Sequence, residues 1–321
     1  MPVALLNHDF VDGMAHRMDL RPVALGLHDA QRRLSPEPVR VHPIISGQDT
    51  GAGTFVQWAN RSRADADDDR RSLAELLLRL LGGPFVTDLA VAAGLDALQS
   101  EPPLPDEPAW RREAVEHLAA HALSVDDVRP WILSFDPQSD LRERKYGFTY
   151  GQRSVVIENF LSHTEVANRL VELATQGLVG ALATLEAAGR HASRLIILDK
   201  ARDSARRWTL DCAEATLFRA LVGLEVYAAA LDEGLSRELA AVRYQEACGV
   251  ELSRESGEVG RSPTCKRQRM IDVAGRGVQY FDMHAKPGRT RVHIWTDLID
   301  DQHVVYVGHC GEHLPLPGGK R

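Results

Sequence analysis

The last sixty residues constrain the fold most, because polar and apolar residues alternate there with a period of two. Four segments show it: KRQRMIDV (266–273), GVQYFDMHAK (277–286), RTRVHIWTD (289–297) and HVVYVGH (303–309). Only short connections separate them, at 274–276, 287–288 and 298–302. Connections of that length join antiparallel neighbours, so the pattern predicts four consecutive antiparallel strands. Successive side chains in a strand point to opposite faces. Phe281, Met283 and Ala285 then share the inward face with Val292, Ile294 and Thr296. The outward face takes Tyr280, Asp282, His284 and Lys286, with Arg291, His293, Trp295 and Asp297. The fourth strand is apolar on both sides up to Gly308, as suits a central strand, and its end supplies His309.

Upstream, apolar residues recur at spacings of three and four, the mark of amphipathic helices. Ser72 and Glu75 have capping-box spacing before LLLRLL, and Gly82-Gly83-Pro84 stops that helix. AWRREAVEHLAAHAL (109–123) reads as helix. Ser162 and Glu165 open one long helix carrying Val166, Leu170, Leu173, Gly177, Ala181 and Leu185, with Gly189 as its stop. Asp211 and Glu214 open another that runs through Leu231, and a further helix covers 237–248. Strands are predicted at 39–45, 131–135 and 194–198, and a hairpin over 148–160 turning at Gly151-Gln152. The charged run 61–71 and the Pro-rich stretch 101–108 read as loops, and the polar segment 251–263 as a domain boundary. The fold class predicted is α+β: a mostly helical N-terminal body with some strands over 1–250, and a C-terminal antiparallel four-stranded sheet module over 262–321, packed on helix 237–248.

Composition narrows the class of protein. With 44% hydrophobic and 26% charged residues the chain has the balance of a soluble globular protein. It contains no apolar run of the roughly 18–20 residues that cross a bilayer and no signal-peptide pattern, so a cytoplasmic protein without membrane contact is expected. Cys212, Cys248, Cys265 and Cys310 form no C-x-x-C pair, which argues against a zinc ribbon and for buried free thiols. Charge is unevenly spread. Residues 261–321 hold ten Lys or Arg against six Asp or Glu, whereas the whole chain is at −7. The same tail carries His284, His293, His303, His309 and His313. A basic, His-rich end on an acidic body fits an anionic partner.

The outward sheet face has residues suited to phosphate chemistry. Imidazole titrates near neutrality and serves as general acid or base, so His284, His293 and His309 are the candidate catalytic groups. Lys286, Arg289 and Arg291 can hold phosphate and a phosphorane, while Tyr280 and Trp295 can stack on unpaired bases. The bland alternative is the ordinary solvated face of a half-buried sheet. A metal on HCGEH (His309, Cys310, Glu312, His313) is weighed and set aside, because one tight turn rarely wraps an ion. Neither a metal nor a cofactor is assigned. HLAAH (His117, His121) lacks the Glu of a zinc protease, GAGTF lacks a phosphate-binding Lys, and Lys200 with Ser204 lacks an oxyanion hole.

FDMHAKPGRTRVHIW…VVYVGHCGEHLPLP resembles the ending of a set of uncharacterised bacterial proteins, some encoded near anti-phage defence genes. Its features are His284-x-Lys286, Arg291-x-His293 and the Gly308–Pro315 close. ILDKARDSARRW and ELSRES resemble that set too, and the likeness spans about 195–317. A helix before a four-stranded meander is also remotely similar in architecture to RelE-type toxins, which are small, basic messenger-RNA nucleases. The resemblance implies a bacterial defence or stress effector acting on nucleic acid, as an endoribonuclease of toxin type, and metal-independent chemistry is expected because the sequence offers no well-placed carboxylate cluster for magnesium. The rival is a non-catalytic adaptor that docks nucleic acid or a protein partner in a multi-gene anti-phage system.

Overall fold

The computed structural model describes residues 2–11, 14, 20–34, 39–64, 67–91, 98–105, 108–136 and 139–319. Residues 65–66 of the charged run, 106–107 of the Pro-rich stretch, and Lys320 and Arg321 of the basic tail lie outside these. The chain divides into two compact units, Met1–Arg169 and Leu170–Arg321. The α+β class holds, but the segment 251–263 lies inside the second unit rather than at a boundary.

The first unit comprises β1 (Pro2–Leu6), α1 (Arg21–Leu34), α2 (Phe55–Ser62), α3 (Asp68–Leu81), β2 (Gln99–Glu101), α4 (Ala109–Ser124), β3 (Arg129–Leu133), β4 (Lys145–Tyr150) and β5 (Arg153–Phe160). Its five strands form a mixed sheet of order β1-β3-β5-β4-β2, with β1, β3 and β5 parallel. The N-terminal body is thus built around a sheet as well as helices. Trp110, Val115, Leu118, Ile132, Phe148 and Ile157 belong to its core. Helix α3 starts a turn before Ser72, because the Asp67 carboxylate already accepts the Arg70 N–H at 3.1 Å. The strand predicted at 39–45 shrinks to a single bridge from Arg40 to Leu5, followed by a 3₁₀ turn opened by Pro43, which has no N–H for a ladder. Beyond the carboxyl ends of β1 and β3, Asn7 donates to Ser139 Oγ at 2.6 Å and Ser139 to Asp9 at 3.0 Å, while Arg111 donates to Asp9 at 2.5 Å. There His8 stacks flat on Trp110, ring centroids 3.8 Å apart.

Helix α5 (His163–Thr175) bridges the division in the chain and is followed by α6 (Gly180–His191). One continuous helix was expected. Gly177 and Gly180 instead adopt φ of 78° and 83°, left-handed values that end one helix and re-aim the next. The two axes differ by 120°, and no single helix among the described residues is long and apolar enough to cross a membrane. Gly189 lies inside α6, where an added Cβ would sit 2.5 Å from Ile197 Cδ1.

The second unit continues with β6 (Leu195–Ile197), α7 (Asp199–Arg207), α8 (Glu214–Asp232), α9 (Arg237–Cys248), β7 (Leu252–Arg254), α10 (Gly257–Arg261), α11 (Pro263–Gln268), β8 (Met270–Val273), β9 (Gly277–Tyr280), β10 (Met283–Ala285), β11 (Arg291–Ile299) and β12 (Gln302–Gly311). Its main sheet is mixed and five-stranded, in the order β6-β12-β11-β10-β7, with β6 parallel to β12. This replaces the predicted four-stranded antiparallel module. The first predicted strand is half helix, since Ser262 caps α11 and Pro263 occupies its first turn. The second breaks at Phe281–Asp282 into β9, which pairs only with β8, and β10, which enters the main sheet. The turn between β11 and β12 puts Asp300 and Asp301 at φ 49° and 61°, the two left-handed positions of a tight hairpin.

One face of this sheet packs Met283, Ala285, Val292, Ile294, Val305, Val307 and Cys310 in one core with residues of α6 to α9. Helix α8 is apolar nearly all round and is buried accordingly. Close approach of α9 is permitted by Gly223, where a Cβ would lie 3.0 Å from Cys248 Cβ. The opposite face packs Phe281, Trp295 and Tyr306 against Ile271 and Val273 of β8. Phe281 is therefore on the side opposite to Met283, because the break between β9 and β10 ends the alternation.

Candidate functional site

That opposite face carries a row of imidazoles. His284 of β10 stands directly across from His293 of β11, which stands across from His309 of β12. Strict alternation along β12 would send His309 to the helical side with Val305 and Val307. The register instead slips at Gly308, so that Val307 opposes Ile294 and His309 opposes His293. This bulge inserts one residue and returns His309 to the imidazole row. Only glycine fits there: a Cβ would lie 2.3 Å from Ile271 Cδ1 and 2.6 Å from Phe281 Cε1. Ring centroids of His284 and His293 are 5.2 Å apart and nearly parallel, and those of His293 and His309 are 5.5 Å apart and steeply tilted. His313, past the end of β12, meets His284 edge-on at 6.5 Å.

The row is closed to solvent, whereas the sequence predicts these imidazoles on an exposed face. His284, His293 and His309 are 5%, 1% and 7% exposed. Arg269, just after α11, is fully buried over them. Its Nε donates to Glu255 Oε1 at 2.6 Å, and its guanidinium also reaches the Cys265 and Pro315 carbonyls at 3.1 and 3.4 Å. Glu255 follows β7, and its Oε1 lies 3.8 Å from His284 Nδ1 and 3.7 Å from His293 Nδ1. One ligand atom from each of these three residues falls within 4.8 Å of the others, which makes them a potential metal-ligand set.

Burial governs the protonation of the row. Desolvation, aided by the charges of Lys286 and Arg291, pushes the His284 pKa down to about 3. Desolvation also drives His293 well below its ordinary value and lowers His309. All three rings are neutral near pH 7 and present lone pairs rather than charge. His309 Nε2–H donates to the Glu312 carbonyl at 2.8 Å, and His293 Nδ1–H reaches the Phe281 carbonyl at 3.3 Å. His284 Nδ1 is buried without a hydrogen-bond partner.

Of the residues predicted to bind substrate, Lys286 and Arg291 lie near enough to act on His284 through their charge, but both side chains are engaged elsewhere. Lys286 is ion-paired with Glu251, and Arg291 donates to the Gly288 and Thr290 carbonyls. Arg289 is exposed, with its backbone N–H on Asp211, a residue expected to open α8 but used here to hold the β10–β11 connection. Trp295 is half-buried and packs against Phe281 and Tyr306, with ring centroids 6.4 and 5.2 Å away. Tyr280 is half-buried, with the Lys266 ammonium 5.5 Å from its ring centre. In HCGEH, Cys310 faces the helical core and Glu312 is exposed, so the four side chains do not converge. His117 and His121 bond the Leu89 and Ala90 carbonyls.

Glu255 and Arg269 escaped the sequence reading. Glu255 sits in a polar connector, and Arg269 is one of several cations in KRQR, with no local signal that this one alone is buried. Comparison of the chain with protein-family models, curated proteins and solved structures finds no match, so the site is read from its own geometry.

Proposed function

We propose that the protein acts on nucleic acid through its second unit, as a cytoplasmic bacterial defence or stress effector that cleaves RNA. The reading is carried by one observation: three neutral imidazoles stand on adjacent strands, with a buried guanidinium beside them. A neutral imidazole can take the proton of an attacking ribose 2′-hydroxyl and return it to the departing 5′-oxygen, and the buried Arg269 supplies a cation for the phosphate. Exposed Lys200, Lys266 and Arg267 add positive charge where α7 meets the end of α11, with Lys200 Nζ 3.3 Å from the Gln268 carbonyl. The low exposure of the row means that substrate entry requires the cover formed by Arg269 and the segment 312–315 to move.

That same burial favours a second reading, a non-catalytic adaptor in a multi-gene system, in which the imidazoles only pack. Purified protein incubated with single-stranded RNA and DNA, with EDTA and with added metals, separates the two. The nuclease reading expects RNA cleavage that falls by about 100-fold or more in His293→Asn or His309→Asn variants that remain folded. Binding without cleavage under every condition supports the adaptor. Failure to bind either nucleic acid at low salt overturns both nucleic-acid versions and leaves a protein-docking role.

A further inference from the structure

We propose that Glu255, His284 and His293 bind one divalent first-row transition-metal ion, for which Zn²⁺ is the probe. This goes beyond the nucleic-acid reading and does not rest on it.

The donor chemistry selects the ion. Two imidazole nitrogens and one carboxylate oxygen suit zinc and iron(II), whereas magnesium and calcium prefer oxygen shells. The spacing is close to that required. Donors bound to a common tetrahedral zinc at about 2.1 Å lie about 3.4 Å from one another. The Glu255 oxygen stands 3.7 and 3.8 Å from the two Nδ1 atoms. Closure by a few tenths of an ångström brings Glu255 into place, and the two imidazole ligand atoms, within 4.8 Å of each other, draw together by side-chain rotation.

Three further features point to a cation there. His284 Nδ1 is buried without a hydrogen-bond partner, a state that a metal would relieve. Two of the ligands stand opposite each other on paired strands, which fixes their separation without loop ordering. Glu255 is held from behind by Arg269 Nε, as carboxylates on metals are commonly held by a hydrogen-bond donor. A carboxylate has about four lone-pair positions, so it can serve guanidinium and metal together. A metal taking His293 Nδ1 displaces its proton to Nε2 and replaces the 3.3 Å contact with the Phe281 carbonyl.

The surrounding charges define what else binds. Arg269 opposes the ion, while Lys286 is already paired with Glu251. Arg269 and a divalent ion against one Glu255 carboxylate leave the site with an excess of positive charge. Three protein ligands also leave a coordination position open, which then suits an anion such as hydroxide or phosphate.

The test uses the full chain stripped with chelator. Titration calorimetry with Zn²⁺ should show one ion per chain, and Co²⁺ should give visible d–d absorption bands of a site with nitrogen and oxygen ligands. Glu255→Gln, His284→Asn and His293→Asn should each weaken Zn²⁺ binding by about tenfold or more with an unchanged circular-dichroism spectrum. His117→Asn, in the first unit, should leave binding unaltered. Absence of stoichiometric Zn²⁺ binding, or undiminished binding in folded Glu255→Gln, overturns the proposal. Should the histidine variants unfold, the Co²⁺ spectrum of the unaltered chain decides, and its absence is fatal. Zinc binding without RNA cleavage removes only the nuclease reading; RNA cleavage by a chain that binds no metal removes only this one.

Discussion

Gly308 decides where a catalytic or ligating imidazole can be. As the extra residue of the bulge, it rotates His309 out of the helical core and beside His293. It is also where Ile271 and the Phe281 ring press on the strand. A methyl group there must displace both neighbours, so Gly308→Ala should destabilise the second unit by about 1–3 kcal/mol through overpacking. Denaturant unfolding measures this, and a change below about 0.5 kcal/mol would mean that the strand shifts without cost. The sequence shows a glycine before a histidine at the end of an apolar strand, which is enough to place a bend. Which side of the sheet His309 takes depends on Ile271 and Phe281, residues 38 and 28 positions earlier, and alternation along one strand carries no trace of them.

At the scale of elements, the lesson is in the pieces inserted between β7 and β10. Alternation predicted the strand character of 270–273, 277–280 and 283–285 well. It did not reveal that the β8–β9 ribbon, entered through α10 and α11, packs over the sheet face. The buried Arg269–Glu255 pair links this ribbon to the imidazole row, with side-chain exposures of 0% and 5%. Removing one partner leaves the other charged, buried and unpaired. Arg269→Met should therefore cost about 3–5 kcal/mol, and combining it with Glu255→Met should recover part of that loss. A double-mutant cycle measures the coupling, and purely additive losses would show that the pair does not hold the ribbon in place.

The whole molecule is two units with separate cores, and its acid stability is set in part by the first. Burial lowers the His8 pKa to about 3, while in the unfolded chain it is near 6.5. Below pH 6.5 the unfolded state takes up a proton that the folded state refuses, so stability falls as pH drops from about 6.5 toward 3, by at most about 1.4 kcal/mol per pH unit. His8→Phe keeps an aromatic ring on Trp110 but loses the bond to Gln48 at 2.7 Å. That variant should be less stable at pH 7 and show a flatter decline between pH 6.5 and 4. Thermal unfolding across that range checks it, and an unchanged slope would show that His8 is not the responsible group.

By itself, the sequence determined the local features: where most helices lie, the hairpin at Gly151-Gln152, and the shared face of His284 and His293, because periodicity and turn chemistry act over a few neighbouring residues. Tertiary structure alone decided that β6 joins the C-terminal sheet, that the first unit also has a sheet core, and that the imidazole row is roofed by Arg269 and joined by Glu255. Those outcomes turn on which distant segments share a core and which charge can be desolvated in company, and such choices are made by packing rather than by local spacing.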